Sequence, residues 1–233
     1  MTRYAVYAVP GLLGENDDPI AADLRDSVEA WYARPEFHEL TVDARRYGFH
    51  ATLKAPFRLA GGRTEAELRA AADAFAAAHH TVLLSALRPA NLGRFRALLL
   101  HGDEAEVRML ADEAVRDFDV FRAEPDDADI RRRRPEMLPP RQRALFEQWG
   151  YPYVFEEFRF HLTLTDPIPP ARESEIDGAL AAHFARNGQA VDSDVLLRSI
   201  ALFIEREPGA PFDVLSVHPL ATPSADTDMQ ETA

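Results

Sequence analysis

The chain has no cysteine among its 233 residues, which removes disulfides, thiolate metal sites and a cysteine nucleophile together. Lysine is almost as scarce: of 26 Lys and Arg residues, Lys54 is the only lysine. No apolar run approaches the roughly 20 residues that a helix needs to cross a bilayer. Met1 leads straight into the strand-like RYAVYAV without a signal pattern, so the expectation is a cytoplasmic protein with no membrane partner. Positive charge is also short. The net charge is −13, and residues 103–129 hold eleven acids against three arginines. Such a surface repels long nucleic acids, whose binding depends on phosphate neutralisation, and favours a small-molecule substrate. The length suits one domain of two lobes with ample core.

What the chain does have is one phrase written twice. F-H-x-T-L-x-x-P occurs at Phe49 to Pro56 and again at Phe160 to Pro167. The phrase is rich in Phe, Thr and Leu and reads as a strand. Side chains alternate along a strand, so His50, Thr52 and Lys54 are expected on one face, with Phe49, Ala51, Leu53 and Ala55 on the other. In the second copy Arg159, His161, Thr163 and Thr165 share the polar face, and Phe158, Phe160, Leu162 and Leu164 the apolar one.

Two such polar fronts facing each other can cleave a phosphoester. One neutral imidazole takes a proton from the attacking water, and one imidazolium protonates the leaving oxygen. Thr52 and Thr163 can each donate to a non-bridging phosphate oxygen. Lys54, Arg159 and Thr165 are the expected substrate-binding groups, the cations neutralising charge that builds in the transition state. In a chain that uses arginine nearly everywhere, a retained lysine points to a place where a compact ammonium is needed. No third ligand accompanies His50 and His161, so neither a metal nor another cofactor is expected. His79-His80-Thr81 also fits H-x-T but sits where a helix meets a strand and lacks the flanking Phe, Leu and Pro.

Around each phrase the elements repeat in the same order: motif strand, break, helix, then two strands joined by a tight turn. The expected strands and helices are 3–9 (strand), 20–33 (helix), 47–58 (motif strand), 64–79 (helix), 81–87 and 92–102 (strands joined through Pro89 and Asn91), and 103–120 (helix). They continue with a helix at 141–150, the second motif strand at 157–165, a helix at 173–188 ending on Asn187-Gly188, and strands at 195–205 and 210–220. The fold class is therefore α+β, bilobal and internally duplicated, with two antiparallel sheets backed by helices and a central cleft. The lobes are expected from 1–120 and 141–220, joined by a Pro- and Arg-rich connector at 121–140, with a disordered tail at 221–233. The run Arg131 to Arg134 reads as a solvated connector or a distal-phosphate site, Tyr47, Tyr151 and Tyr153 as packing or cleft lining.

The paired H-x-T phrases resemble the 2H phosphoesterase superfamily, which includes RNA 2′,3′-cyclic phosphodiesterases. The longer phrases YGFHATLKAPF (47–57) and WGYPYVFEEFRFHLTLTDP (149–167) resemble one branch, the proteins associated with phosphonate-metabolism operons. That resemblance runs from RYAVYAV to about residue 220. It implies a bilobal fold, a metal-independent reaction, catalytic His50 and His161, and phosphate-binding Thr52 and Thr163. It also implies a cyclic phosphate substrate such as a phosphoribosyl 1,2-cyclic phosphate. Asp166 stands where relatives are expected to have glycine and would oppose phosphate at the cleft edge. Two alternatives remain: an RNA 2′,3′-cyclic phosphodiesterase, which the acidic surface disfavours, and a non-catalytic nucleotide- or sugar-phosphate-binding module.

Overall fold

The computed structural model describes residues 1–187 and 193–222. In chain order the elements are β1 (Arg3–Ala8), α1 (Pro19–Tyr32), α2 (Val42–Tyr47), β2 (Ala51–Phe57), α3 (Glu65–Ala78), β3 (Val82–Leu84), β4 (Arg88–Leu92), β5 (Phe95–Leu99) and α4 (Ala105–Asp117). They continue with α5 (Asp127–Arg133), α6 (Pro140–Trp149), β6 (His161–Thr163), α7 (Glu173–Asn187), β7 (Val195–Leu197), β8 (Ser199–Glu205) and β9 (Asp213–Pro219). The strands form antiparallel sheets in the orders β2-β1-β8-β9, β4-β5-β6 and β3-β7. This is an α+β chain with antiparallel sheets, as expected.

The duplication is present, but the halves exchange their hairpins. The first motif strand, β2, shares its sheet with the β8–β9 hairpin of the second half. The second motif strand, β6, pairs with the β4–β5 hairpin of the first. Lobes made of 1–120 and of 141–220 therefore do not describe the sheets, because each draws strands from both halves. The short β3 and β7 pair with each other and join the two halves again. One apolar core runs through all of this, from Val6 and Tyr7 through Leu98 and Leu162 to Ile200 and Leu202. All seven residues of β8 are buried, as a strand between β1 and β9 under helices must be.

Several boundaries move for physical reasons. Tyr47 closes α2 rather than opening a strand, and Gly48 at φ 74° turns the chain into His50 and β2. The second motif strand shrinks to three residues, because the N–H groups of Leu164 and Thr165 both turn to the Arg96 carbonyl ahead of Pro167. Pro89 and Asn91 lie within β4, not in its turn, and the hairpin bends at Gly93 (φ 61°). Proline fits there because β4 is an edge strand. The capping box of α3 is as expected, with Thr64 accepting from the Glu67 N–H while the Glu67 carboxylate accepts from the Thr64 N–H. Gly150, at φ 73°, ends α6. The connector 121–140 contains α5, capped by Asp126 and Asp129. The expected Asn187-Gly188 cap and the tail from 223 onward lie outside the described residues.

Candidate active site

β2 and β6 approach each other across a cleft of about 450 Å³. Thr52 lines it from one side and His161 and Arg159 from the other, with Tyr151, Tyr153 and Phe95 completing the walls. His50 stacks on Tyr7 of β1 at 3.9 Å between ring centroids, with Tyr47 at 6.0 Å. His161 is more open, with Phe95 at 6.0 Å.

The two histidines are held in the same way. Nδ1 of His50 donates to the Gly48 carbonyl at 2.9 Å, and Nδ1 of His161 donates to the Arg159 carbonyl at 2.8 Å. Each bond reaches back two residues along its own chain. It fixes the ring and places the proton on Nδ1, which leaves Nε2 as the free, basic nitrogen. Burial pushes the His50 imidazolium down to about 4; the Gly48 carbonyl opposes this and the nearby His161 adds to it. Burial also lowers His161, against the Arg159 carbonyl. The contact between β2 and β6 is what brings the two copies of the phrase together.

The hydroxyls divide. Among the described residues the Thr52 and Thr163 side chains have no hydrogen-bond partner, so both are free to donate, whereas Thr165 is 1% exposed and its Oγ accepts the Arg96 N–H at 3.0 Å. Thr165 is thus a structural link between β5 and β6, not a substrate ligand. The cations divide too. Arg159 is exposed on the cleft and has no ion pair among the described residues. Lys54 is 3% exposed and turned away from the cleft. Its Nζ donates to the Val115 carbonyl at 2.9 Å and to Asp119 at 2.6 Å, at the end of α4. The shared face of His50, Thr52 and Lys54 fails at a bulge: Tyr7 pairs with Thr52 but Val6 pairs with Lys54, so β2 carries one residue more than β1 between them.

Asp166 has a different task from the one expected. Its carboxylate accepts the Asp43 and Ala44 N–H groups at 3.1 Å and so caps α2, the helix that runs into Gly48 and His50. A residue of the second motif therefore braces the approach to the first. Asp166→Ala is expected to lower stability by about 1 kcal/mol in urea unfolding. An unchanged midpoint would show that this cap is idle.

Other expectations sort as follows. Tyr151 and Tyr153 line the cleft, while Tyr47 packs on Phe212 at 5.1 Å. Arg133 lies 4.6 Å over the Tyr151 ring, and Arg131 is exposed. Sequence reasoning missed Tyr7, Phe95, Gln142 and Glu157. Gln142 donates to Glu157 at 2.9 Å on the cleft wall. The hairpin exchange brings in Phe95 and α6 brings in Gln142, while Tyr7 arrives through the pairing of β1 with β2 and Glu157 lies just ahead of the second phrase without a pattern of its own. Among the described residues no group of three or more His, Asp or Glu is placed to hold a metal ion, and no helix is long and apolar enough to cross a membrane.

Each half of this α+β chain contributes one histidine tethered through Nδ1 and one threonine hydroxyl with no partner among the described residues, and of these four Thr52 and His161 line the cleft. Two curated relatives are similar over most of the chain. Both are named ribose 1,5-bisphosphate phosphokinase PhnN. The one from Janthinobacterium sp. (strain Marseille) is 41% identical over 91% of this chain and 49% of its own length. The one from Laribacter hongkongensis (strain HLHK9) is 35% identical over 90% of this chain and 50% of its own. The chain thus spans about half the length of the curated relatives it matches. A crystal structure of E. coli LigT complexed with NADP+ is a more distant likeness, 17% identical with a TM-score of 0.45, covering 95% of this chain and 98% of that one. Residues 52–213 match a family model described as protein of unknown function, DUF1045, and the chain belongs to that family.

Proposed function

We propose that the chain is a metal-independent, 2H-type cyclic phosphodiesterase acting on a small sugar or nucleotide phosphate. The observation that carries this reading is the matched pair of histidines, each tethered through Nδ1 to a carbonyl two residues back. His50, the more enclosed ring and neutral above about pH 4, is the base that takes a proton from water. His161 on the open side is the acid that protonates the leaving oxygen. Thr52 and Thr163 donate to the non-bridging oxygens, and Arg159 balances the added charge.

The substrate that fits best is a 5-phosphoribosyl 1,2-cyclic phosphate. Water attacks phosphorus, the bond from phosphorus to O2 breaks, and O2 receives the His161 proton. The phosphate stays on O1, and the product is ribose 1,5-bisphosphate, the compound that the two relatives' names say they phosphorylate. The chain itself contains no G-x-x-x-x-G-K-[ST] phosphate loop, and its one lysine is held by Asp119. We therefore place the kinase reaction of those relatives in the half of their length that this chain does not match. The aromatic walls at Tyr151, Tyr153 and Phe95 favour a second substrate class, a cyclic nucleotide whose base would stack there. A panel of cyclic phosphates separates the two.

The pH profile tests the assignment of roles. The working form needs His50 neutral and His161 protonated. The first holds above about pH 4, and the second is lost as pH rises through a value below the ordinary imidazole figure of about 6.5. The rate constant kcat/KM is expected to peak between these limits and to fall about tenfold per pH unit on the alkaline side. A flat profile from pH 6 to 8 would contradict an imidazolium acid at His161.

A further inference from the structure

We propose a second phosphate-binding site beside the cleft, built by Arg122, Arg58 and Arg133 under the end of α6. Arg122 is about nine-tenths buried: its side chain is 10% exposed. Its Nε and Nη2 grip Asp119 at 2.8 and 3.2 Å, and Nη2 also donates to the Gln148 carbonyl at 3.0 Å. Nη1 is buried and has no partner. Five residues carry such orphaned polar atoms among those described, and Arg122 alone of them lines one of the three described cavities. A buried guanidinium N–H without an acceptor is costly, and an oxyanion is the partner that removes the cost.

The cavity that Arg122 lines also receives Arg58 and Arg133. Its volume is about 30 Å³, a few times what one water needs and too small for a sugar ring. It matches a single terminal phosphate. Arg58 is held in place by Asp126 at 3.3 Å, Asp129 at 3.4 Å and the Glu124 carbonyl at 2.9 Å. Asp129 also lines the cavity, but it is engaged with Arg58 and with the cap of α5. Gly150 supplies the remaining wall. A Cβ there would stand 3.0 Å from Arg122 Cδ and 3.2 Å from Nη1, closing the space in front of the orphaned group.

Arg133 links this site to the cleft, because it lines the cavity itself and its guanidinium covers the ring of Tyr151, which lines His161's cleft. The ligand is a phosphate group, from one of two sources: the second phosphate of a bisphosphorylated substrate, or free phosphate acting on the cleft through Arg133 and Tyr151. The link to turnover rests on the phosphodiesterase reading, whereas occupancy of the site does not.

Inorganic phosphate is titrated against chloride at matched ionic strength by calorimetry, and the titration is repeated in His161→Ala to set aside phosphate bound at the histidines. Saturable binding that persists in His161→Ala is expected, weakened about tenfold by Arg133→Gln and by Arg122→Lys. The lysine keeps a charge for Asp119 while withdrawing the free Nη1, and Arg133 is a partly exposed position that does not brace the core. Phosphate binding no tighter than chloride, or unaltered in both variants, overturns the proposal even if the enzyme turns over as proposed. The source is then read from kinetics. If it is the substrate's own phosphate, Arg133→Gln raises KM for a phosphorylated ribose cyclic phosphate about tenfold more than for the unphosphorylated sugar. If it is free phosphate, that ratio is unchanged and added phosphate alters kcat.

Discussion

His161→Ala is expected to lower kcat for cyclic phosphodiester hydrolysis by roughly 10²–10⁴-fold, the usual contribution of a positioned proton donor. His50→Ala is expected to fall in the same range. The double variant should lose little more than the worse single one, because base and acid act on the same transition state. The two losses differ in their side effects. His161 makes one backbone hydrogen bond and a loose contact with Phe95, so its removal should leave stability within a few tenths of a kcal/mol. His50 is stacked on Tyr7 inside an aromatic wall, so its truncation should cost about 1 kcal/mol of stability as well. Multiplicative losses in the double variant would mean that the rings act in separate steps.

Lys54→Met is expected to do the opposite, lowering stability by roughly 2 kcal/mol while leaving kcat and KM near wild type. Removing one partner of a fully buried pair costs about 3–5 kcal/mol. The smaller figure follows because Asp119 is 25% exposed and keeps Arg122 as a second partner. Lys54→Arg should destabilise as well. The slot is closed by the Val115 carbonyl and the Trp149 ring, with Nζ 6.0 Å from the ring centroid, and a planar guanidinium does not fit where a compact ammonium does. Burial holds Lys54 down to about 8, against the pull of Asp119. Between about pH 8 and 10.4 the unfolded chain therefore binds more protons at this position. The stability difference between wild type and Lys54→Met should shift in favour of wild type as pH rises through that window. A loss of kcat without a loss of stability would return Lys54 to the phosphate.

The scarcity of lysine was thus an informative signal read to the wrong end. It marks a place where ammonium and guanidinium are not interchangeable, but that place is a buried pair behind β2. The error has a single local cause. Strand alternation is reliable only while the register is unbroken, and the bulge between Thr52 and Lys54 ends it. Of the two histidines and the threonines two residues beyond them, Thr52 and His161 line the cleft, whereas His50 and Thr163 are not among its lining residues. Thr165 fails for the related reason that β6 ends at Thr163, after which the chain bends toward Arg96. The exchange of hairpins between halves could not be read at all, since the order of elements along the chain is the same whether each hairpin joins its own motif strand or the other's. Phe95 beside His161 depends on that exchange and is hidden with it, whereas Tyr7 reaches His50 through the pairing of β1 with β2 inside the first half.

The most direct test of the account is phosphorus NMR of the purified protein with 5-phosphoribosyl 1,2-cyclic phosphate in the presence of EDTA. The account predicts that the cyclic phosphate resonance gives way to a monoester on O1, with the 5-phosphate intact, and that His161→Ala leaves the spectrum unchanged over the same time. Abolition by the chelator, or turnover undiminished in His161→Ala, would contradict it.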